Sequence, residues 1–339
     1  LLVIISFLYC SAQPNNRTSS SPGKNNSLKP PLKLIASVPL PGVSGRIDHL
    51  AYNSRKQQVY VAALGNNTVE VVDLKSNKVI QTIKGLNEPQ GIRYISETNV
   101  IFVANGGNGE CAVFDAETYK PVATVKLGGD ADNVRYNPAT SQIFVGYGEG
   151  AIAILDGKTY KQLADIKLAG HPESFQLEND SKIYVNVPDA HLLEVIDLKK
   201  NTIAEKWKIE AATANFPMAL DVVNHRLFIG CRHPAKLLVI NTETGKTVAS
   251  LDTNGDTDDI FFDTATRQIF MSCGDGSVDT FGQISPDKYE AVSKIETRSG
   301  ARTALFIPEL NQVIVAAPAR SGKEAQLMVY EKTNAMMKK

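Results

Sequence analysis

An all-β fold is predicted for this chain, a closed ring of seven four-stranded units, and three observations carry the expectation. A β-branched or aromatic triplet recurs seven times, at Val59-Tyr60-Val61, Ile101-Phe102-Val103, Ile143-Phe144-Val145, Ile183-Tyr184-Val185, Leu227-Phe228-Ile229, Ile269-Phe270-Met271 and Val313-Ile314-Val315. Successive triplets start 42, 42, 40, 44, 42 and 44 residues apart, a constant period that belongs to propellers or solenoids. The last unit lacks its fourth strand, while an orphan strand, 34–40 (LIASVPL), stands ahead of the first unit. With apolar residues alternating or running in bursts of four to six and no helical period, these features select a seven-bladed β-propeller closed by its N-terminal strand.

Within each unit the strands follow one order. A short strand comes first, as in HLAYN, GIRYI, NVRYN and DIFFD, and the triplet is the second. Turn formers such as Gly65-Asn66-Asn67 and Gly106-Gly107-Asn108-Gly109 lead to a third strand ending in an acid or amide: Asp73, Asp115, Asp156, Asp197 and Asn241. A fourth strand follows, as in VIQTIK, VATVKL, LADIKL and VASLD. The sixth unit has Val278-Asp279-Thr280-Phe281-Gly282 where the acid-ended strand belongs, so a distorted blade is expected there. Pairing of 34–40 with the strand around 328–330 would close the ring and leave no open edge.

The 339 residues are 43% hydrophobic, enough for a large core, and their 36 basic and 36 acidic side chains cancel. Zero net charge leaves no long-range field for a polyanion, so neither a nucleic-acid partner nor an anionic membrane surface is expected. Residues 1–9 (LLVIISFLY) fall short of the roughly 20 a membrane-spanning helix needs, so no transmembrane segment is expected. With Cys10-Ser11-Ala12 behind them they read as a signal-peptide remnant, 1–12, and place the mature protein in the periplasm or outside the cell. Acylation of Cys10 is disfavoured by bulky Phe7, Leu8 and Tyr9 in front of it. Residues 13–31, rich in Asn, Ser, Pro and Lys, read as a flexible linker, 32–332 as the propeller and 333–339 as a polar tail. Beyond the signal, Cys111, Cys231 and Cys273 form neither a disulfide framework nor a zinc knuckle. Cys231 and Cys273 hold matching places in neighbouring units, which suits burial as small apolar side chains.

The alternation of a [VI]-[YF]-V triplet, a Gly/Asn turn and a V-x-V-[IV]-D strand resembles the YVTN-repeat, YncE-like β-propellers, over nearly all of the chain after residue 32. The resemblance implies the fold and export more than a reaction, since related propellers range from binding modules to metal-dependent lyases and lactonases. A WD40 propeller fits worse, because Trp207 is the single tryptophan and no Trp-Asp ending repeats.

In a propeller, residues leading into each first strand meet at one mouth of the central channel, so side chains some 40 positions apart become neighbours. These positions carry Arg46, Asp48, His49, Gln90, Asp132, Asn133, His171, Glu173, Asp258, Asp259 and Arg302, and a neighbouring loop adds Arg232. That is more ionisable chemistry than turns demand, although Asp, Asn and Pro also end strands by bonding local backbone. Two functions are expected of this set. The first is binding of a small molecule, peptide or protein at the polar mouth. The alternative is a lyase or hydrolase assisted by a divalent metal ion, the one cofactor the set suggests, with His49, His171 and Glu173 as ligands. Crowded carboxylates repel, and either the three arginines or a bound cation must offset them. Two weaker motifs are set aside: 252–258 lacks the glycine spacing of a calcium loop, and Gly146-Tyr147-Gly148-Glu149-Gly150 is a hairpin turn without the helix a phosphate loop needs.

Overall fold

The computed structural model describes residues 31–333 as seven antiparallel four-stranded sheets arranged as a β-propeller. The expected signal remnant, the linker up to residue 30 and the tail after Thr333 lie outside the described residues. Blades 1 to 7 begin with the inner strands Leu50–Asn53, Pro89–Ile95, Ala131–Asn137, Phe175–Glu178, Thr213–Asp221, Thr257–Asp263 and Ala304–Ile307. Among the described residues no helix is long and apolar enough to cross a membrane.

The orphan strand runs Leu32–Pro39 and is the outermost strand of blade 7, antiparallel to Gln326–Lys332, from Leu32 opposite Lys332 to Pro39 opposite Gln326. The first and last of the described strands therefore share one sheet. Each face of that strand joins a different core. Leu32 packs with Phe270, Val278 and Val313 towards blade 6, and Val38 packs with Val59 and Val72 towards blade 1.

The second strands explain why the triplets lack hydrophobic alternation. Each is sandwiched between two neighbouring blades, so both faces are covered and Val59, Tyr60 and Val61, like their counterparts in every blade, are fully buried. Fourth strands lie at the periphery and alternate instead, as in Gln162–Lys167. Cys111, Cys231 and Cys273 are buried among these cores, and burial pushes all three thiols up.

The acid that ends each third strand is a turn device. Asp115 Oδ1 accepts from the backbone N–H groups of Glu117 (3.1 Å) and Thr118 (2.7 Å), and Asp156 and Asn241 do the same for the residues two and three positions on. Those bonds favour the ionised form and hold Asp115 and Asp156 below the usual carboxylate range. For these acids the local-turn reading is right, and they take no part in a site.

Blade 6 departs from the others, as expected. Ser277–Gly282 pairs with Gln268–Cys273, and the strand runs on to Ser285 against Lys288–Glu296, where a second register shift, between Gln283 and Ser285, joins the one found in other blades. Gly282 stands where blades 1 and 4 carry the strand-ending acid, while Asp279 matches Glu70 and Glu194 within the strand and accepts from the N–H of Asn254 at 2.8 Å.

Candidate functional site

Six inner strands reach the channel through the same backbone irregularity. In blades 2, 3, 5 and 6 the ladder to the second strand slips at the mouth, between Pro89 and Ile92, Ala131 and Val134, Asn215 and Met218, and Thr257 and Asp259. In blades 1 and 4 the pairs Asp48-His49 and Glu173-Ser174 stand opposite the single residues Ala62 and Asn186. A bulge sets two residues against one and breaks alternation. Consecutive side chains such as Asp48 and His49, or Asp132 and Asn133, can thus face one small void of about 10 Å³, together with Arg46, Glu173 and Asp258.

Close approach of the backbones shapes this ring. A Cβ added at Gly91 would lie 1.8 Å from the carbonyl oxygen of Asp132 on the next inner strand. Gly91→Ala is expected to cost about 1–3 kcal/mol of stability by overpacking, seen as a lowered melting temperature. An unchanged melting temperature would mean that the two strands are free to separate.

His49 is the hub. Its Nδ1 lies 3.4 Å from Asp259, and its Nε2 lies 3.6 Å from Asp48 and 4.0 Å from Asp132. Burial lowers its basicity, but the charges of Asp259, Asp48 and Asp132 and the bond to Asp259 outweigh that and raise it to about 10. The ring is an imidazolium at neutral pH. Asp259 Oδ2 is also held by the N–H of Ala304 at 2.9 Å, which ties blade 6 to blade 7.

The arginines meet carboxylates at the rim. Arg46 Nη2 is 2.7 Å from Asp48 Oδ2 but off the hydrogen-bond axis. Arg232 Nη2 donates to Asp258 Oδ1 at 2.8 Å, its Nε donates to the carbonyl of Thr257 at 2.9 Å, and its guanidinium stacks 3.7 Å from the centre of the Phe216 ring. Arg302 Nη2 pairs with Asp256 at 2.9 Å. Three carboxylate oxygens of the mouth, Asp48 Oδ2, Asp132 Oδ1 and Asp258 Oδ2, are buried without a hydrogen bond; Arg46 stands 3.9 Å from Asp258 Oδ2 and His49 4.0 Å from Asp132 Oδ1, close enough for charge but not for a bond. Burial and the neighbouring charges of Asp48 and Glu173 push Asp132 well above the carboxylate range. Burial raises Glu173 to about 8 with help from Asp258 and against Arg232, and it raises Asp258 to about 6.

Of the twelve residues expected at the mouth, Arg46, Asp48, His49, Asp132, Asn133, Glu173 and Asp258 line the void together. Asp259 supports His49 from below, and Arg232 and Arg302 pair with the rim. Two stand apart. Gln90 donates to Asp130 at 2.8 Å in an exposed position, and His171 has its Nδ1 2.6 Å from the carbonyl oxygen of Gly148. Among the described residues, the group able to hold a metal is Asp48, His49 and Asp132, whose ligand atoms lie within 4.8 Å of one another; His171 and Glu173 are outside it. Ser174 and Phe216, lead-in positions to which the sequence assigns no role, also line the void, and Arg93 and Arg135 are not among the residues it singles out. The last two had a legible signal, since GIRYI and NVRYN place arginines 42 residues apart at one repeat position.

The fold is similar to that of two solved structures. A chain of the mitotic checkpoint complex crystal structure is 15% identical with a TM-score of 0.74, over 96% of this chain and 99% of that one. A chain of Kuenenia stuttgartiensis hydrazine synthase is 14% identical with a TM-score of 0.74, over 94% of this chain and 100% of that one. Identities this low speak to the fold alone. No family model and no curated protein matches the chain.

Proposed function

We propose that this protein is a ligand-binding propeller of the YVTN-repeat, YncE-like kind, acting after export in the periplasm or outside the cell. Its site is the polar mouth, and the group received there is an ammonium, on a small molecule or on a lysine of a peptide or protein partner. The observation that carries this reading is that two buried carboxylate oxygens, Asp132 Oδ1 and Asp258 Oδ2, lack a hydrogen bond beside a void of about 10 Å³. Leaving a buried acceptor without a hydrogen bond costs about 1–3 kcal/mol, and an incoming N–H donor removes that cost at each oxygen. The void suits one atom with its hydrogens rather than a planar guanidinium.

Calorimetric titration with N-acetyl-lysine methylamide and its arginine counterpart tests this. The lysine compound is expected to bind and the arginine compound to bind at least about tenfold more weakly, given the size of the void. Asp132→Asn with Asp258→Asn should abolish binding while leaving the melting temperature equal or higher, because a repelling pair is removed. Equal binding of both compounds, or binding that survives the double substitution, would move the site elsewhere.

A second reading, a metal-assisted lyase or hydrolase, is favoured by the Asp48, His49 and Asp132 set. Oxygen and imidazole donors suit a divalent ion, and its binding must expel the proton of His49. Titration with Mn²⁺ or Zn²⁺ in weak buffer should then release protons, and no uptake of either ion would remove this reading.

A further inference from the structure

Next to the mouth lies a second, larger cavity that shares His49, Asn133 and Ser174 with it and carries two arginines on its wall. We propose that this second cavity binds a small organic anion, a carboxylate with an apolar body, its carboxylate held by Arg93 and Arg135 and its body laid against Phe261 and Leu305. The site shares no ligand group with the ammonium site.

The cavity measures about 340 Å³, within the size of small-molecule pockets. Arg93 and Arg135 occupy one repeat position on adjacent inner strands, opposite Phe102 and Phe144 of the buried triplets. At the same level, blade 4 carries Gln176, opposite Tyr184. Across the ring, blades 6 and 7 carry Phe261 and Leu305, opposite Phe270 and Ile314. All five line the cavity, so one wall is cationic and polar and the facing wall is apolar.

Among the described residues neither arginine has a carboxylate within ion-pair distance. Arg135 is fixed in place: Nη1 donates to Asn133 Oδ1 (3.2 Å) and to the carbonyl of Val134 (3.0 Å), and Nη2 donates to Ser174 Oγ (3.1 Å). Arg93 makes no side-chain hydrogen bond among the described residues, and its side chain is solvent-accessible although it lies deep in the fold. Burial, and then the neighbouring Arg93 charge, push Arg135 down to about 10, so both remain cations at neutral pH. His49 and Asp259 also line the cavity, and the Asp259 carboxylate is engaged there by His49 and by the N–H of Ala304. Two like charges side by side in a partly dry channel are a standing cost that an anion removes. A guanidinium pair matches the planar, two-oxygen face of a carboxylate. An inorganic anion would use the arginines but leave the Phe261 and Leu305 wall wetted.

Calorimetry on the full chain with phenylacetate, hexanoate and sulfate, at constant ionic strength, decides the matter. Phenylacetate or hexanoate should bind, with sulfate at least about tenfold weaker, because only the carboxylates bury an apolar body. Arg93→Gln should weaken carboxylate binding at least about tenfold without lowering the melting temperature, since Arg93 has no internal partner to lose. Phe261→Ala should weaken phenylacetate and leave acetate unchanged, which keeps the apolar wall testable on its own. The proposal is overturned if neither carboxylate binds at about 10 mM, a concentration that detects even very weak sites. It is equally overturned if sulfate binds as tightly, or if Arg93→Gln binds like the parent protein.

Discussion

Deleting residues 32–39 is expected to lower the melting temperature by about 10–20 °C, or to leave the chain aggregated at working concentrations. The loss has two parts. Leu32 and Val38 are buried and face different blades, so their removal opens the packing on both sides of blade 7 at once. Each such side chain stabilises by about 1.5–3 kcal/mol, and Leu40, whose N–H bonds the carbonyl of Ala325 at 2.9 Å, would lose its anchor. The ladder to Gln326–Lys332 goes with them and leaves that strand as an open edge. Together these approach the whole stability of an ordinary domain, about 5–15 kcal/mol. A point variant separates closure from mere truncation. Val38→Asp puts an unpaired charge at a fully buried position and should cost about 3–5 kcal/mol, whereas Leu34→Lys, at a side chain 45% exposed, should stay within about 0.5 kcal/mol. Differential scanning calorimetry reads both. A deletion that melts within about 2 °C of the parent would mean that closure contributes nothing, and the two ends of the chain would be independent.

Much of this architecture was legible because the repeat forces it. The triplets are buried on both faces and must be apolar, and the acids ending the third strands must be turn acceptors, so both recur and can be counted. The closing strand was legible for a different reason: one unit was a strand short and one strand had no unit. The mouth was legible only as a set. Lead-in positions identify which side chains enter the channel, but which of them meet depends on bulges that leave no residue signature. Asp48 and His49 face the same void, while Gln90, in the same lead-in place, turns outward to Asp130. His171 looked equivalent to His49 because each stands near an acid, yet it bonds the backbone of Gly148, as isolated histidines commonly do. Arg93 and Arg135 escaped notice because they lie within strands, where a reading centred on loops does not look. In blade 6 the two arms of the outer hairpin are nine residues long against six in blades 1 to 3, which preserves pairing while erasing the motif.

Stability should fall steadily as the pH is raised from about 5 to about 10, by an amount on the order of 5 kcal/mol, and the mouth supplies the slope. Four groups act in one direction, Asp132, pushed well above the carboxylate range, among them. Glu173 and Asp258, raised to about 8 and about 6, hold protons in the folded state that the unfolded chain has released above about pH 4, so each step upward favours unfolding. His49, raised to about 10, contributes stability that is fully present below about pH 6.5, its unfolded value, and is lost as the pH passes 10. On the acid side the sign reverses. Asp263, lowered by the Lys332 and Thr266 side chains despite its burial, contributes stability present above about pH 4 and lost below it, so the maximum falls near pH 5. Urea unfolding at pH 5, 7 and 9 measures the slope. Glu173→Gln should flatten the segment between about pH 4.5 and 8 and add about 1–3 kcal/mol at pH 9, after allowance for the water that reaches the rim. His49→Gln should instead remove the segment between about pH 6.5 and 10. Stability that is level or rising from pH 5 to 9 would show that the carboxylates of the mouth are not crowded in solution. The same protons bear on ligand binding, because an ammonium entering the mouth needs the carboxylates ionised. Its affinity should therefore rise between pH 6 and 8 while the empty protein weakens, and saturating N-acetyl-lysine methylamide should restore at pH 9 much of the stability that the free protein has lost, since a ligand bound only to the folded state stabilises it by its binding free energy.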